Sequence, residues 1–424
     1  MSGPIFPFAR ARRACLAAAL LACAQATGAQ DLPALLALAR AQSPELAAMR
    51  LEADAAAQRV QPAGALPDPV LRVELMDVNN YGTDRSPSLL PWKVGETKYT
   101  LMQTLPGWGK RELRREQADA QAREAEARAA ATWAELAMRI KSSYAELARA
   151  AGSAGLTREL LALSARLEQA AQLRYASGLA GQQDALRAQL EQTAMRGELL
   201  MFQAEQRQLL ARLNSLLARP ADTPLTDTPT LPPLPALGPS DAAALAERAR
   251  AGNPLLRAEQ ARLAAARKGE ALVHNSNRYP DVSVGISPSQ MGSRLSTWGL
   301  MVELNLPLQQ GARRSQEREA AAMAEAARAR SEALANQLLG ELAGRLAALE
   351  AARQSEQLIA RQMLPQADLA LQSALAGYES GKAEFAMLLE ALGQIRRGRL
   401  ALLKTQVEAR MALAEIERLL GEEL

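Results

Sequence analysis

The stretch Thr104–Gln117, "TLPGWGKRELRREQ", joins the end of an alternating apolar segment to the start of a charged helix. Its Gly-Lys pair admits two readings, a phosphate cradle or a bend in the chain. A nucleotide-binding loop needs two glycines flanking four residues, followed by Lys and Ser or Thr. Here Gly107, Gly109 and Lys110 are followed by Arg111 and Glu112. No acidic metal ligand or catalytic constellation lies nearby, so the enzyme reading fails on its residues. A second stretch, "NLPLQQGARRSQ" (Asn305–Gln316), keeps the Leu-Pro, a Gly and the basic start, but has no Gly-Lys. What recurs is a junction: strand, proline, flexible glycine, basic residues, long helix. Pro106 and Pro307 cannot donate to a ladder, and Gly109 and Gly311 give the flexible step.

Other motifs repeat in the same order. "ARAQSPEL" (Ala39–Leu46) returns as "ARAGNPLL" (Ala249–Leu256), and "LPDPVLRVEL" (Leu66–Leu75) as "YPDVSVGI" (Tyr279–Ile286). "RYASG" (Arg174–Gly178) returns as "GYESG" (Gly377–Gly381), and "LNSLL" (Leu213–Leu217) as "IERLL" (Ile416–Leu420). The chain is therefore a duplication, with one copy over 30–219 and the other over 240–424. Residues 220–239 form a proline-rich linker. Each copy reads as a helix of about 35 residues (Asp31–Gly64; Ser240–Asn275), two strand-like segments, a very long helix, a glycine turn and a further helix. The long stretches Lys110–Leu173 and Ala312–Ala376 make rods of roughly 95–100 Å at 1.5 Å per residue. Leu156, Leu160, Leu163 and Leu167 form a seam at 3–4 spacing, which predicts coiled-coil-like packing. Gly152 and Gly155 weaken the first rod, and Pro365 predicts a kink or break in the second.

Composition agrees with a mainly helical fold and a small β part. The chain has 424 residues, only 3% of them aromatic, and is rich in Ala and Leu. Its formal charge is +4. Arg10, Arg12 and Arg13 lie in the first 29 residues, so the remainder is nearly neutral and nothing favours nucleic acid. Residues 1–29 read as a secretory signal: a basic start, the apolar run "CLAAALLACA" and small residues. Cleavage is expected near 26–29, or at Cys23 by lipoprotein processing, since "LLAC" fits that pattern. Both cysteines, Cys15 and Cys23, fall inside this segment, which leaves no disulfide or thiolate chemistry beyond it. His274 is the sole histidine. Without cysteine it predicts no transition-metal site within one chain, and no cofactor. Met76, Met102, Met291 and Met301 lie near the strands, as packing residues or as contacts for soft ions.

The strands are predicted at about 69–78, 97–105, 280–287 and 296–306. Leu71, Val73 and Leu75 alternate with Arg72, Glu74 and Met76; Trp298, Leu300, Val302 and Leu304 alternate with Thr297, Gly299, Met301 and Glu303. One apolar and one polar face over about ten residues suits a membrane-barrel strand. The half-buried hairpin of a soluble periplasmic scaffold fits the same alternation. Half of the aromatics beyond residue 29 lie around these strands: Tyr81, Trp92, Tyr99, Trp108, Tyr279 and Trp298. That distribution resembles an interfacial girdle and favours the barrel. Four strands cannot close a barrel in lipid, so several chains must contribute.

These features resemble the TolC-like outer-membrane efflux proteins over nearly the whole chain beyond the signal. "RYASGLAGQQDALRAQL" (Arg174–Leu190) and "GYESGKAEFAMLLEAL" (Gly377–Leu392) resemble that family's periplasmic tip motif. "LPDPVLRVELM" and "TLMQTLPGWGKRELRRE" resemble its heavy-metal branch, of the CusC and CzcC type. The resemblance implies a homotrimer, with a twelve-stranded outer-membrane β-barrel continuous with a periplasmic α-helical barrel. It implies a passive exit duct served by a periplasmic adaptor (a membrane fusion protein) and an inner-membrane RND transporter, with metal cations as cargo. It places the adaptor contact at Arg174, Tyr175, Gly178 and Asp184 in one tip and at Tyr378, Gly381 and Glu384 in the other. It puts Glu390 at the periplasmic entrance, where three copies would make an acidic ring. Trp92, Tyr99, Trp108 and Trp298 would lie at the lipid interface, with drugs or secreted peptides as alternative cargo.

Overall fold

A computed structural model describes residues 31–79, 87–178, 181–235, 241–306 and 308–424. The expected signal segment, Tyr81, Pro307 and the last part of the linker lie outside the described residues. The order is α1 (Leu32–Gln42), α2 (Pro44–Gln58), α3 (Val60–Ala63), β1 (Val70–Met76), β2 (Glu96–Leu105), α4 (Lys110–Ala176) and α5 (Gln182–Leu216). The second half repeats it: α6 (Ala242–Gly252), α7 (Pro254–Arg278), β3 (Val282–Met291), β4 (Arg294–Leu304), α8 (Gln310–Leu358), a π-turn (Ile359–Met363), α9 (Leu364–Glu379) and α10 (Phe385–Leu420). Among the described residues, no helix is long and apolar enough to cross a membrane.

The single first helix expected for each copy is broken. Ser43 and Asn253 leave the helical region, with ψ of 119 and 120°. Each precedes a proline, whose ring crowds the preceding residue out of the α region. The Ser43 hydroxyl accepts from the Leu46 N–H at 3.3 Å, and the Asn253 side chain from the Leu256 N–H at 2.8 Å. A polar residue and a proline thus stop one helix and cap the next. The third strand runs to Met291, four residues beyond the expected end at 287, and turns tightly at Gly292 into β4.

The chain divides into two compact units. One comprises Ala48–Ala131 and Arg250–Leu338 and contains the sheet. Its four strands lie in the order β1-β2-β3-β4, every neighbouring pair antiparallel, with a bulge at Ser289/Gln290.

The other unit comprises the described residues of 31–47, Thr132–Ala249 and Leu339–Leu424. Its interior is mainly Leu and Ala at helical spacing. One cluster joins Leu35, Leu36, Ile140, Tyr144 and Leu213; another joins Leu156, Leu160, Leu167, Met195, Leu388 and Leu392. The seam expected around Leu160 is therefore a packed interface. α4 passes unbroken through Gly152 and Gly155 for 67 residues. A Cβ on Gly152 would lie 3.3 Å from the Leu403 methyls, so that glycine lets α10 approach closely. The expected break at Pro365 takes the form of the π-turn directly before it, a widening that absorbs the missing N–H of proline.

Candidate functional site

The sheet is apolar on its outer face. Register places Leu71, Leu101, Ile286 and Leu300 in one row across four strands. Val284 and Val302 face each other two residues along, and Leu304 faces Val282 two residues further. Leu71, Ile286, Leu300, Val302 and Leu304 are exposed, Leu300 at 75%. The opposite face carries Arg72, Glu74, Lys98, Thr100, Ser283, Ser287 and Ser289, of which Thr100, Ser287 and Ser289 are buried. This inverts the polarity of a soluble hairpin, which would bury its aliphatic face. It is the pattern of a strand with lipid on one side and water on the other. Strands of 10, 10 and 11 residues match the about 9–11 needed to cross a bilayer at a tilt. Met102 and Met301 lie on the polar face, each opposite Gly285.

Trp298 projects from the apolar face opposite Pro288, and Trp92 and Trp108 are also exposed, Trp108 at 85%. Tyr99 is half-buried, its hydroxyl 3.5 Å from the Gln290 side chain.

At the base of the sheet, the Gly-Lys pair meets an acid. Lys110 Nζ donates to Asp281 Oδ1 at 2.6 Å, and the Gly107 N–H donates to the same oxygen at 2.8 Å. The Lys110 side chain is only 5% exposed, so it serves no phosphate, whether nucleotide or lipid. Burial pushes the Asp281 carboxyl up, but the Lys110 ammonium and the Gly107 N–H, with help from Arg114, hold it below the usual carboxylate range. Gly107 has no room for a side chain: a Cβ would lie 2.5 Å from the Tyr279 carbonyl oxygen. Gly109 has a φ of +74°, and the neighbouring Trp108 carbonyl accepts from Asn275 Nδ2 at 3.0 Å. Pro106 follows β2 directly, as expected. Gly311 differs from its expected role: it lies in the first turn of α8, with open space where a Cβ would go. The second junction therefore makes its step without a left-handed glycine at this position.

The two glycine turns of the helical unit come together. Gly178 and Gly381 have φ of +70 and +73° and end α4 and α9 in left-handed stops. Arg174 Nη1 donates to the carbonyls of Tyr378 at 2.8 Å and Glu379 at 3.1 Å, so a side chain of the first turn caps the helix end of the second. Its guanidinium lies 4.8 Å from the centroid of the Tyr378 ring, which meets Phe385 edge-on at 5.2 Å. Tyr378 is 4% exposed. Burial and then the Asp184 carboxylate push its phenol up, while Arg174 pulls it down. Tyr378 and Arg174 therefore build the tip from within; the expectation that Tyr378 offers a contact surface is corrected by its burial. Tyr175, by contrast, is exposed. Asp184 lies in the first turn of α5, and Glu384 is the N-cap residue of α10.

Glu390 is exposed on α10 and paired with Arg397 Nη2 at 2.9 Å. His274 Nδ1 lies 3.7 Å from Glu317. Among the described residues, no group of three or more His, Cys, Asp or Glu is placed to hold a metal ion.

Sequence reasoning missed Asp281, Gly107, Asn275, Phe385 and Arg397. The repeated Pro-Asp before β1 and β3 was the available signal for Asp281.

A family model for outer membrane efflux proteins matches residues 35–219 and 245–422. The chain belongs to the outer membrane efflux protein family. Members of this family are channels rather than enzymes, and this efflux protein accordingly belongs in the outer membrane, with a long periplasmic helical part. Solved structures agree in fold. The outer-membrane channel OprN aligns with a TM-score of 0.77 at 20% identity, covering 92% of this chain and 89% of its own. The outer membrane protein VceC from Vibrio cholerae aligns at 0.78 and 21%, over 92% and 96%. CusC, described in a study of folding and transmembrane channel formation, aligns at 0.75 and 16%, over 93% and 92%. Among curated proteins, none matches the sequence significantly.

Proposed function

We infer that three copies of this efflux protein close into one twelve-stranded barrel and form the passive exit duct of a tripartite pump. The observation that carries this reading is the open four-stranded sheet whose aliphatic face is exposed. Backbone groups at the edges of an open sheet have no water to bind in lipid, so β1 and β4 must find partners. Four strands per copy make a barrel with three copies, whose lumen takes the polar face. Trp92, Tyr99, Trp108 and Trp298 then lie near the interfaces.

A periplasmic adaptor docks at the glycine turns, and an RND transporter in the inner membrane supplies the energy. The exposed groups there, Tyr175 and the flanking polar residues, form the contact, while Arg174 and Tyr378 hold its shape. Glu390 in three copies lines the entrance; its pairing with Arg397 weakens the field of an acidic ring. The cargo is a heavy-metal cation. The resemblance of the strand and junction stretches to the heavy-metal branch supports this, and a conduit needs no tight metal site. The experiment is expression in a Gram-negative host lacking its own efflux channel. A heat-modifiable trimer in the outer-membrane fraction, with restored metal tolerance when the cognate pump is supplied, is expected. A soluble periplasmic pool would sink the channel reading in favour of a scaffold. Restored drug tolerance or peptide secretion alone would sink the metal cargo.

A further inference from the structure

Strands β1 and β4 each leave one edge of the sheet unpaired within the chain. The duplication shows what each edge is built to accept. Pro67-Asp68 before β1 corresponds to Pro280-Asp281 before β3, and Leu105-Pro106 after β2 corresponds to Leu306-Pro307 after β4. The registers test this correspondence independently. Under it, Val70 opposite Met102 becomes Ser283 opposite Glu303, and Leu71 opposite Leu101 becomes Val284 opposite Val302. Both of these second-copy pairs are observed. The two hairpins are therefore equivalent residue by residue. They meet each other through β2 and β3, and β4 and β1 are the equivalents of those two strands.

Barrel closure brings β4 against β1 of the next copy; we propose that this seam takes the register set by β2 and β3, which places Glu303 of one copy opposite Arg72 of the next. Gln103 opposite Val284 then becomes Leu304 opposite Leu71 of the next copy, and Leu101 opposite Ile286 becomes Val302 opposite Val73. Met102 opposite Gly285 becomes Glu303 opposite Arg72. Apolar residues meet apolar residues on the outer face, and on the inner face an acid meets a base. The equivalent pair inside the chain is uncharged, so the charge pair is particular to the seam between copies. Within one chain, Arg72 reaches Glu74 only at 3.9 Å, with both side chains well exposed. A slip of one residue would send the aliphatic side chains to the wrong face. A slip of two in one direction would set Glu303 against Glu74, and like charges directly opposite are destabilising; in the other direction it would set Glu303 against Val70 and Arg72 against Met301, and the ion pair would be lost. Alternation and charge thus select the same register.

The proposal rests on the closed-barrel reading, and disulfide trapping separates the two. Cys15 and Cys23 both precede the described residues, within the expected leader. Arg72→Cys with Glu303→Cys, and Leu71→Cys with Leu304→Cys, are adjacent pairs, so one of them has the closer, non-hydrogen-bonded spacing. At least one is expected to give a dimer and trimer ladder on non-reducing gels of outer membranes. Glu74→Cys with Glu303→Cys, the two-residue slip, is expected to give none. A ladder from that pair alone would overturn the register while leaving a closed barrel. No ladder from any pair, in protein still reaching the outer membrane, would overturn both. Charge reversal supplies a second readout. Arg72→Glu is expected to lower the temperature at which the SDS-resistant trimer dissociates, and adding Glu303→Arg to restore it. Failure to restore it would overturn the ion pair.

Discussion

At the scale of single residues, the junction below the sheet depends on groups that differ in what they leave behind. Asp281→Asn strands a nearly buried ammonium, whereas Lys110→Met leaves a carboxylate that is 39% exposed and still bound by the Gly107 N–H. Breaking a fully buried pair costs about 3–5 kcal/mol. We expect Asp281→Asn to approach the lower end and Lys110→Met to cost about half as much, read as thermal unfolding in detergent. Because the Asp281 carboxyl is held below its unfolded value near 3.8, its contribution is complete above that pH. It is lost only as pH falls through the lower folded value. The difference between the wild-type and Asp281→Asn midpoints should therefore stay constant from about pH 5 upward, and a difference that shrinks between neutral pH and that point would contradict the assignment. The glycines differ too. Gly107→Ala forces a Cβ against a backbone carbonyl, which costs at least about 1–3 kcal/mol, while Gly311→Ala is expected to be neutral or slightly stabilising in its helical turn.

At the scale of elements, the periodic stretches were legible and their interruptions less so. α4 forms as one rod because two glycines cost only about 1 kcal/mol each, which packing such as that of Leu403 on Gly152 offsets. The breaks at Ser43 and Asn253 were written in the chain as Ser-Pro and Asn-Pro, in the repeated motif itself. At the tip, left-handed glycines reverse the chain, so Gly178→Pro with Gly381→Pro demands a φ near −65° where +70 and +73° are observed. That double variant should abolish efflux and adaptor crosslinking. Tyr175→Ala should keep the fold and the trimer yet weaken crosslinking, because its ring is exposed. Unaltered crosslinking in both variants would remove the tip as the docking site.

At the scale of the whole molecule, the side of the sheet that meets lipid can be read by charge. Leu300 and Met301 are sequence neighbours on opposite faces. Leu300→Arg should cost about 2–4 kcal/mol if it faces the middle of a bilayer and should block outer-membrane assembly. Met301→Arg, facing the lumen, should assemble normally and alter conductance. Equal tolerance of both would mean that neither face contacts lipid.

The sequence by itself determined the duplication, the helix and strand types, the alternation of faces and the family. These are local or periodic properties, carried by residues a few positions apart. Tertiary structure decided which alternating face is exposed, that Lys110 belongs to Asp281 and that Tyr378 lies inside the tip. Each joins residues with no fixed spacing between them, or depends on which side of a surface the rest of the chain covers. The junction was visible as a bend, but its chemistry lies in an acid 171 positions away, which only the pairing of β2 with β3 brings within reach.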